Sequence, residues 1–135
     1  MDNLTPLQRH KTMSRVRQKD TKPELKVRQA LHKRGYRYRL HDRDLPGKPD
    51  VVFSRKRKVI FINGCFWHLH ECPRGLSRPK TNVDFWQAKR TATRDRDQAS
   101  IAKLQEAGWA CLTIWECELR DFADVEALTI DFLES

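Results

Sequence analysis

The sequence predicts an α/β domain built as a mixed β-sheet flanked by helices. Two observations carry that expectation. Val51-Val52-Phe53, Val59–Ile62 and Trp109–Trp115 are short apolar runs rich in β-branched and aromatic residues, the pattern of buried strands. Around them lie segments with helix start and stop signals, and such alternation packs as helices layered on a sheet. At 135 residues the chain is one domain with a modest core. Residues 1–19 read as a basic arm and residues 20–135 as the single folded domain. Internal repeats, low-complexity tracts and linkers are not visible.

Charge narrows the function class. The formal net charge is +9, and it is unevenly spread. Residues 1–43 hold thirteen Lys or Arg against four Asp or Glu, whereas residues 116–135 hold one against seven. A polyanion on the N-terminal side fits this asymmetry, with nucleic acid the leading candidate; the alternative is a solvated basic surface with no specific ligand. No apolar run approaches the roughly eighteen residues needed to span a membrane. With no visible signal peptide, the expectation is a soluble protein of a reducing cytoplasm.

Taken in order, the arm carries Arg9, Lys11, Arg15, Arg17 and Lys19 around Met13, as a segment that orders on a phosphate backbone would. A helix starts at Asp20-Thr-Lys-Pro-Glu24, capped by Asp20 or Thr21, with Pro23 in its first turn. Leu25, Ala30 and Leu31 are expected to face the core, and Gly35 to stop the helix. Tyr36–Leu40 alternates as a half-buried strand, and residues 41–49 form a turn-rich loop. The basic turn Ser54–Lys58 joins the next two apolar runs into a hairpin. After the loop Pro73–Thr81, Asn82 caps a helix holding Phe85, Trp86 and Lys89. Arg94–Ala107 carries a narrow stripe of Ile101, Leu104 and Ala107 that ends at Gly108. Asp124 is expected to cap a last helix with Val125, Leu128 and Phe132 inward.

Most of the chemistry is concentrated in Val59–Cys72. Cys65, His70 and Cys72 offer two thiolates and an imidazole within one loop, a soft donor set suited to tetrahedral zinc. Of the other cysteines, Cys111 sits within a strand pattern and reads as a buried free thiol. Cys117 follows that strand and reaches the loop if the strand neighbours Val59–Ile62 in one sheet. The expected ligands are Cys65, His70, Cys72 and Cys117; a disulfide or unconnected thiols are the alternatives. Four protein ligands would close the zinc site and make it structural. That leaves His68, held on the same loop, as a candidate general base, against the commoner role of a satisfied surface histidine. Asp50, after Pro49 at the start of a strand, could hold a hard divalent cation for phosphodiester hydrolysis, although Asp is more often a turn residue. Glu24 is by default a first-turn acid favouring the helix dipole; its alternative is a second carboxylate at a metal site. Phe66, Trp67 and Trp86 are core rings by default. As a set beside basic loops they also fit wedges inserted between base steps.

Pro49-Asp50, Gly64-Cys-Phe-Trp-His68, His70, Cys72, Phe85-Trp86, Arg96-Asp97, Leu104–Trp109 and Trp115-Glu-Cys117 together resemble the very short patch repair (Vsr) endonuclease family, over about residues 9–121. The resemblance implies a restriction-endonuclease-like fold. It also implies a magnesium-dependent nick 5′ to the thymine of a T·G mismatch, the lesion left when 5-methylcytosine deaminates. In those terms Asp50 and the backbone carbonyl of Ile62 hold magnesium, His68 is the general base, and Glu24 assists through water. Cys65, His70, Cys72 and Cys117 become the structural zinc ligands. Phe66, Trp67 and Trp86 become the intercalating rings, with Met13 entering from the other groove and Asn63 and Lys89 completing the DNA-contacting set. The chain departs from the best-known member of that family at Ile62 and Asn63, where that member has Thr and His before the Gly-Cys, and it lacks the second acid-x-Lys signature of the wider nuclease superfamily. The resemblance further implies a monomer acting on double-stranded DNA in the bacterial cytoplasm, nucleoid-associated when at work and followed by downstream repair proteins. The rival readings are a nuclease of the same fold with restriction-type or broader mismatch specificity, and a non-catalytic zinc module that binds distorted DNA.

Overall fold

The computed structural model describes residues 21–78 and 81–135. The arm, with Met13, and the cap candidate Asp20 lie outside them. Element order is α1 (Lys22–Lys33), β1 (Arg39–Leu40), β2 (Val51–Phe53), β3 (Lys58–Asn63), α2 (Val83–Glu106), β4 (Ala110–Trp115), a 3-10 segment (Glu116–Asp121) and α3 (Phe122–Glu134). The strands form one sheet in the order β1-β2-β3-β4. β1, β2 and β3 pair antiparallel, and β3 pairs with β4 in parallel after the crossover through α2. The expected mixed sheet flanked by helices is therefore present.

Alternation along the strands divides the core. Val51, Phe53, Ile60 and Ile114 pack with Val27 and Leu31 of α1 and with Val125 and Leu133 of α3. Val52, Val59 and Phe61 pack with Leu104 of α2 and with Trp109. Both faces of β2 and β3 are covered, which is why these strands read as unbroken apolar runs. No helix among the described residues is long and apolar enough to cross a membrane.

Several local expectations are corrected. Thr21 is the cap of α1, and Val27, not Leu25 or Ala30, is buried beside Leu31. The first strand is only Arg39–Leu40 because the backbone amides of Gly35 and Tyr36 turn back to His32 and Leu31 to close α1. Tyr36 and Tyr38 instead set their rings edge-on against Phe53. Residues 83–106 form one continuous helix. Asn82 occupies its cap position in a left-handed conformation, without a capping side-chain bond. Asp121, not Asp124, stands at the start of α3, and Leu128 is half exposed while Thr129 and Leu133 face inward. Cys111 is half-buried.

Candidate active site and metal centre

Register explains why four distant donors meet. In the parallel pair, Asn63 lies opposite Trp115, so Cys65 and Cys117, each two residues further on, leave the same end of the sheet. The Cys117 amide donates to Cys65 Sγ at 3.3 Å, and Cys117 Sγ lies 3.6 Å from His70 Nδ1. The loop between them is folded by its own backbone, with the amide of His68 donating to Gly64 and that of His70 to Cys65. Donor atoms of Cys65, His70, Cys72 and Cys117 all lie within 4.8 Å of one another. A tetrahedral zinc site wants its donors about 3.3–3.8 Å apart, so this set fits a closed metal centre after a small contraction. The thiols are tuned unequally: burial pushes Cys65 up to about 12, while the Gly75 amide bonded to Sγ pulls Cys72 down to about 7. Gly75 has no room for a side chain, since a Cβ there would collide with the His70 carbonyl.

A second cluster gathers Glu24, His41 and Asp50, whose donor atoms also lie within 4.8 Å of one another. Asp50 precedes β2 and its Oδ2 accepts the Ile62 amide at 2.7 Å, which sets the Ile62 main chain beside it. Glu24 is 2% exposed and turns inward from the first turn of α1. Its Oε2 accepts from Arg28 at 3.0 Å and lies 2.7 Å from His41 Nε2. Burial pushes the Asp50 carboxyl up to about 6. The Glu24 charge adds to that rise, while the Ile62 amide, His41 and His68 oppose it. With Glu24 held beside it and its own charged form disfavoured, Asp50 makes a site that a cation would relieve.

His68 stands on the braced loop, close enough to Asp50 to act on its charge. Its Nδ1 lies 2.5 Å from Oδ2 of Asp97 on α2. With Nδ1–H donated to that carboxylate, the remaining ring nitrogen presents a lone pair, as a general base requires. Trp115 stacks on His70 at 4.0 Å and meets His68 edge-on at 6.4 Å, so one ring supports both histidines.

The aromatic rings form a contiguous row. Phe66 meets Trp67 at 5.1 Å, Trp67 meets Trp86 at 5.7 Å, and Trp86 meets Phe85 at 5.0 Å. Trp86 is only 7% exposed, whereas Phe85 is 58% exposed. Lys89 extends over the Trp86 ring at 5.7 Å, and Asn63 is buried at the end of β3.

Comparison with known proteins decides the family. The family model for the DNA mismatch endonuclease Vsr matches residues 1–74. Over 133 residues the chain is 47% identical to the type II nicking enzyme V.XorIIP of Xanthomonas oryzae, covering 98% of this chain and 97% of that one. Over 112 residues it is 41% identical to the DNA mismatch endonuclease Vsr of Escherichia coli, covering 83% of this chain and 71% of that one. The chain belongs to the Vsr family. It is accordingly a DNA endonuclease of the mismatch or nicking class.

Sequence reasoning gave no role to His41, Asp97, Trp115 or Arg90. Arg90 is 1% exposed and holds the cysteine-bearing loop against α2. Its guanidinium donates to the carbonyls of Phe66, Ser77 and Gly75 and to the side chain of Gln87, and stacks on the Phe66 ring at 4.1 Å. Lysine can reproduce neither the fork nor the stacking. Arg90→Lys should therefore lower stability by about 3 kcal/mol, read as a fall in melting temperature, with parallel loss of the loop's protection from proteolysis. A charged residue among polar neighbours at one helix position gave no sequence signal for this.

Proposed function

We propose that this endonuclease nicks one strand 5′ to the thymine of a T·G mismatch by divalent-metal-dependent phosphodiester hydrolysis, on a restriction-endonuclease-like fold. The observation that carries the reading is an oriented imidazole, the His68–Asp97 pair, that acts on the charge of Asp50, a half-buried carboxylate gathered beside buried Glu24. Cys65, His70, Cys72 and Cys117 would hold a structural zinc, which supplies stiffness to the loop and leaves no open position. Asp50 and the Ile62 carbonyl would hold magnesium, with Glu24 assisting through water; magnesium there supplies neutralisation of the charge on the phosphate under attack.

The protein's own groups do the rest. Asp97 keeps the proton on His68 Nδ1, so the other ring nitrogen takes the proton of the attacking water as its oxygen bonds to phosphorus. The bond to the leaving deoxyribose oxygen then breaks, and that oxygen is protonated from solvent. Residues 1–19 act as an arm on the phosphate backbone, with Met13 entering the opposite groove, and the rings on the braced side open the mismatch. A wobble pair stacks and pairs less well than a Watson–Crick pair, so separating it costs less. Phe66 and Trp67 stand in front, with Asn63 and Lys89 beside them and Trp86 as backing. Phe85, the exposed ring of the row, joins the contact. One active site suffices for one nick, so the protein acts as a monomer in the bacterial cytoplasm and hands its product to downstream repair proteins.

Phe85→Ala should weaken binding to a T·G duplex by about tenfold while leaving the melting temperature unchanged, since one stacked ring contributes on the order of 1–3 kcal/mol. Trp86→Ala should instead lower the melting temperature, as loss of a buried ring does. Fluorescence anisotropy and thermal melts separate the two. The reading as a whole is tested by mapping the cut on T·G, other mismatched and fully paired duplexes with magnesium. A single nick 5′ to the T of T·G supports it; equal cutting of the paired duplex rejects it in favour of a restriction-type nuclease.

A further inference from the structure

His41 lies outside every role assigned above, yet the sheet delivers it to the catalytic carboxylates. In the β1–β2 ladder Arg39 pairs with Val52 and Leu40 with Val51, so the next pair in register is His41 with Asp50. The backbone continues that register, the His41 amide donating to the Asp50 carbonyl at 3.1 Å. Directly opposed residues in an antiparallel pair sit with their Cβ atoms about 4.5–5.5 Å apart. The histidine is therefore tied to Asp50 through the main chain while its ring reaches Glu24 Oε2 at 2.7 Å.

Its backbone is strained as well. His41 has φ 50°, a left-handed conformation that costs a non-glycine residue about 1 kcal/mol or more. Glycine or asparagine would sit there more easily. The ring is half-buried, so the strain is not offset by full burial of an apolar group. What the conformation achieves is to bring an N–H donor to the same Glu24 oxygen that Arg28 holds at 3.0 Å. Two donors from different elements, α1 and the end of β1, then fix the plane of that carboxylate against Asp50.

We propose that His41 is a positioning residue for the nicking reaction: by donating Nε2–H to Glu24 Oε2 while its backbone is tied to Asp50, it holds the two carboxylates in the arrangement that accepts the divalent cation. This rests on the metal-dependent nicking proposed above. Partners that orient a metal-site carboxylate typically change metal affinity or activity 10–100-fold when removed.

The experiment uses the full chain and compares wild type, His41→Ala, His41→Gln, Glu24→Gln and the Glu24→Gln/His41→Ala double variant. Manganese affinity of the protein–T·G duplex complex is measured by calorimetry, with single-turnover nicking, zinc content and melting temperature alongside. His41→Ala should weaken manganese binding and slow nicking by about 10–100-fold, with zinc content and duplex affinity kept. His41→Gln, whose amide can donate in place of Nε2–H, should recover most of both. In the Glu24→Gln background, removing His41 should add little, because its partner is already gone. Wild-type manganese affinity in His41→Ala, or full additivity of the two substitutions, overturns the inference. A purely structural role would show as a lowered melting temperature in both His41 variants with no recovery by Gln, and this too overturns it. Absence of nicking by wild type would instead count against the proposed function.

Discussion

Replacing Asp50 by Asn should abolish nicking and at the same time stabilise the magnesium-free protein. Loss of the carboxylate removes the anionic donor beside the Ile62 main chain, and a rate fall of at least about a thousandfold is expected. The stability gain follows from the direction of the pKa shift. Burial and the Glu24 charge raise the Asp50 carboxyl to about 6 in the folded protein, against about 3.9 in an unfolded chain. Between those values the folded state binds more protons, so stability falls as pH rises through the window, and the loss is complete above about pH 6. Below about pH 4 the carboxyl is protonated in both states and contributes no penalty. Asparagine keeps an oxygen for the Ile62 amide and carries no charge. Asp50→Asn should thus be more stable than wild type by on the order of 2 kcal/mol at pH 7, with the difference vanishing near pH 4. Denaturant titrations at the two pH values check this, in buffer without added magnesium.

The second large effect lies at the metal centre. Cys65 is fully buried and its sulfur accepts from the Cys117 amide, so it binds the loop to the end of β4. Cys65→Ser should lose the proposed zinc, lower the melting temperature by at least about 10 °C, and leave nicking undetectable. The magnitude follows because metal binding energy is folding energy, of which only a few kcal/mol need be lost at a few degrees each. Asp50 and Glu24 are untouched by this change. What is lost is the loop that carries His68 to Asp97 and the Phe66–Trp67 pair to Trp86. Zinc content by elemental analysis and a thermal melt are sufficient readouts. Retention of the metal with normal nicking would show that the cysteine cluster does not brace the site.

The residues that could be found in the sequence are those whose chemistry is local. Cys65, His70 and Cys72 share one loop, and Cys117 follows a strand that reaches the loop if it neighbours Val59–Ile62 in the sheet, so order and spacing point to their meeting; the parallel β3–β4 register supplies the condition. The buried hairpin of β2 and β3 was legible because both faces are covered and the runs are apolar throughout. The partners brought by tertiary packing were not. Asp97 is one of many charges on a long helix, and only the crossover of α2 turns it toward His68. His41 reads as a loop residue until the β1–β2 register sets it opposite Asp50. Arg90 looks like a surface arginine until its carbonyl acceptors are seen. Glu24 shows the limit most clearly: its first-turn position satisfied a helix-dipole explanation, a second metal-site carboxylate was only the alternative that the family resemblance favoured, and the fold adds its burial beside Asp50.

The account stands or falls on whether Asp50 and the loop-borne His68 act on one phosphate. Single-turnover nicking of a T·G duplex with magnesium, by wild type, Asp50→Ala and His68→Ala at matched zinc content and duplex affinity, tests that most directly. Wild type should cut one strand, while both variants should bind equally well and fail to cut. A wild-type rate from either variant, or a wild-type protein that binds the duplex and leaves it intact, would contradict it.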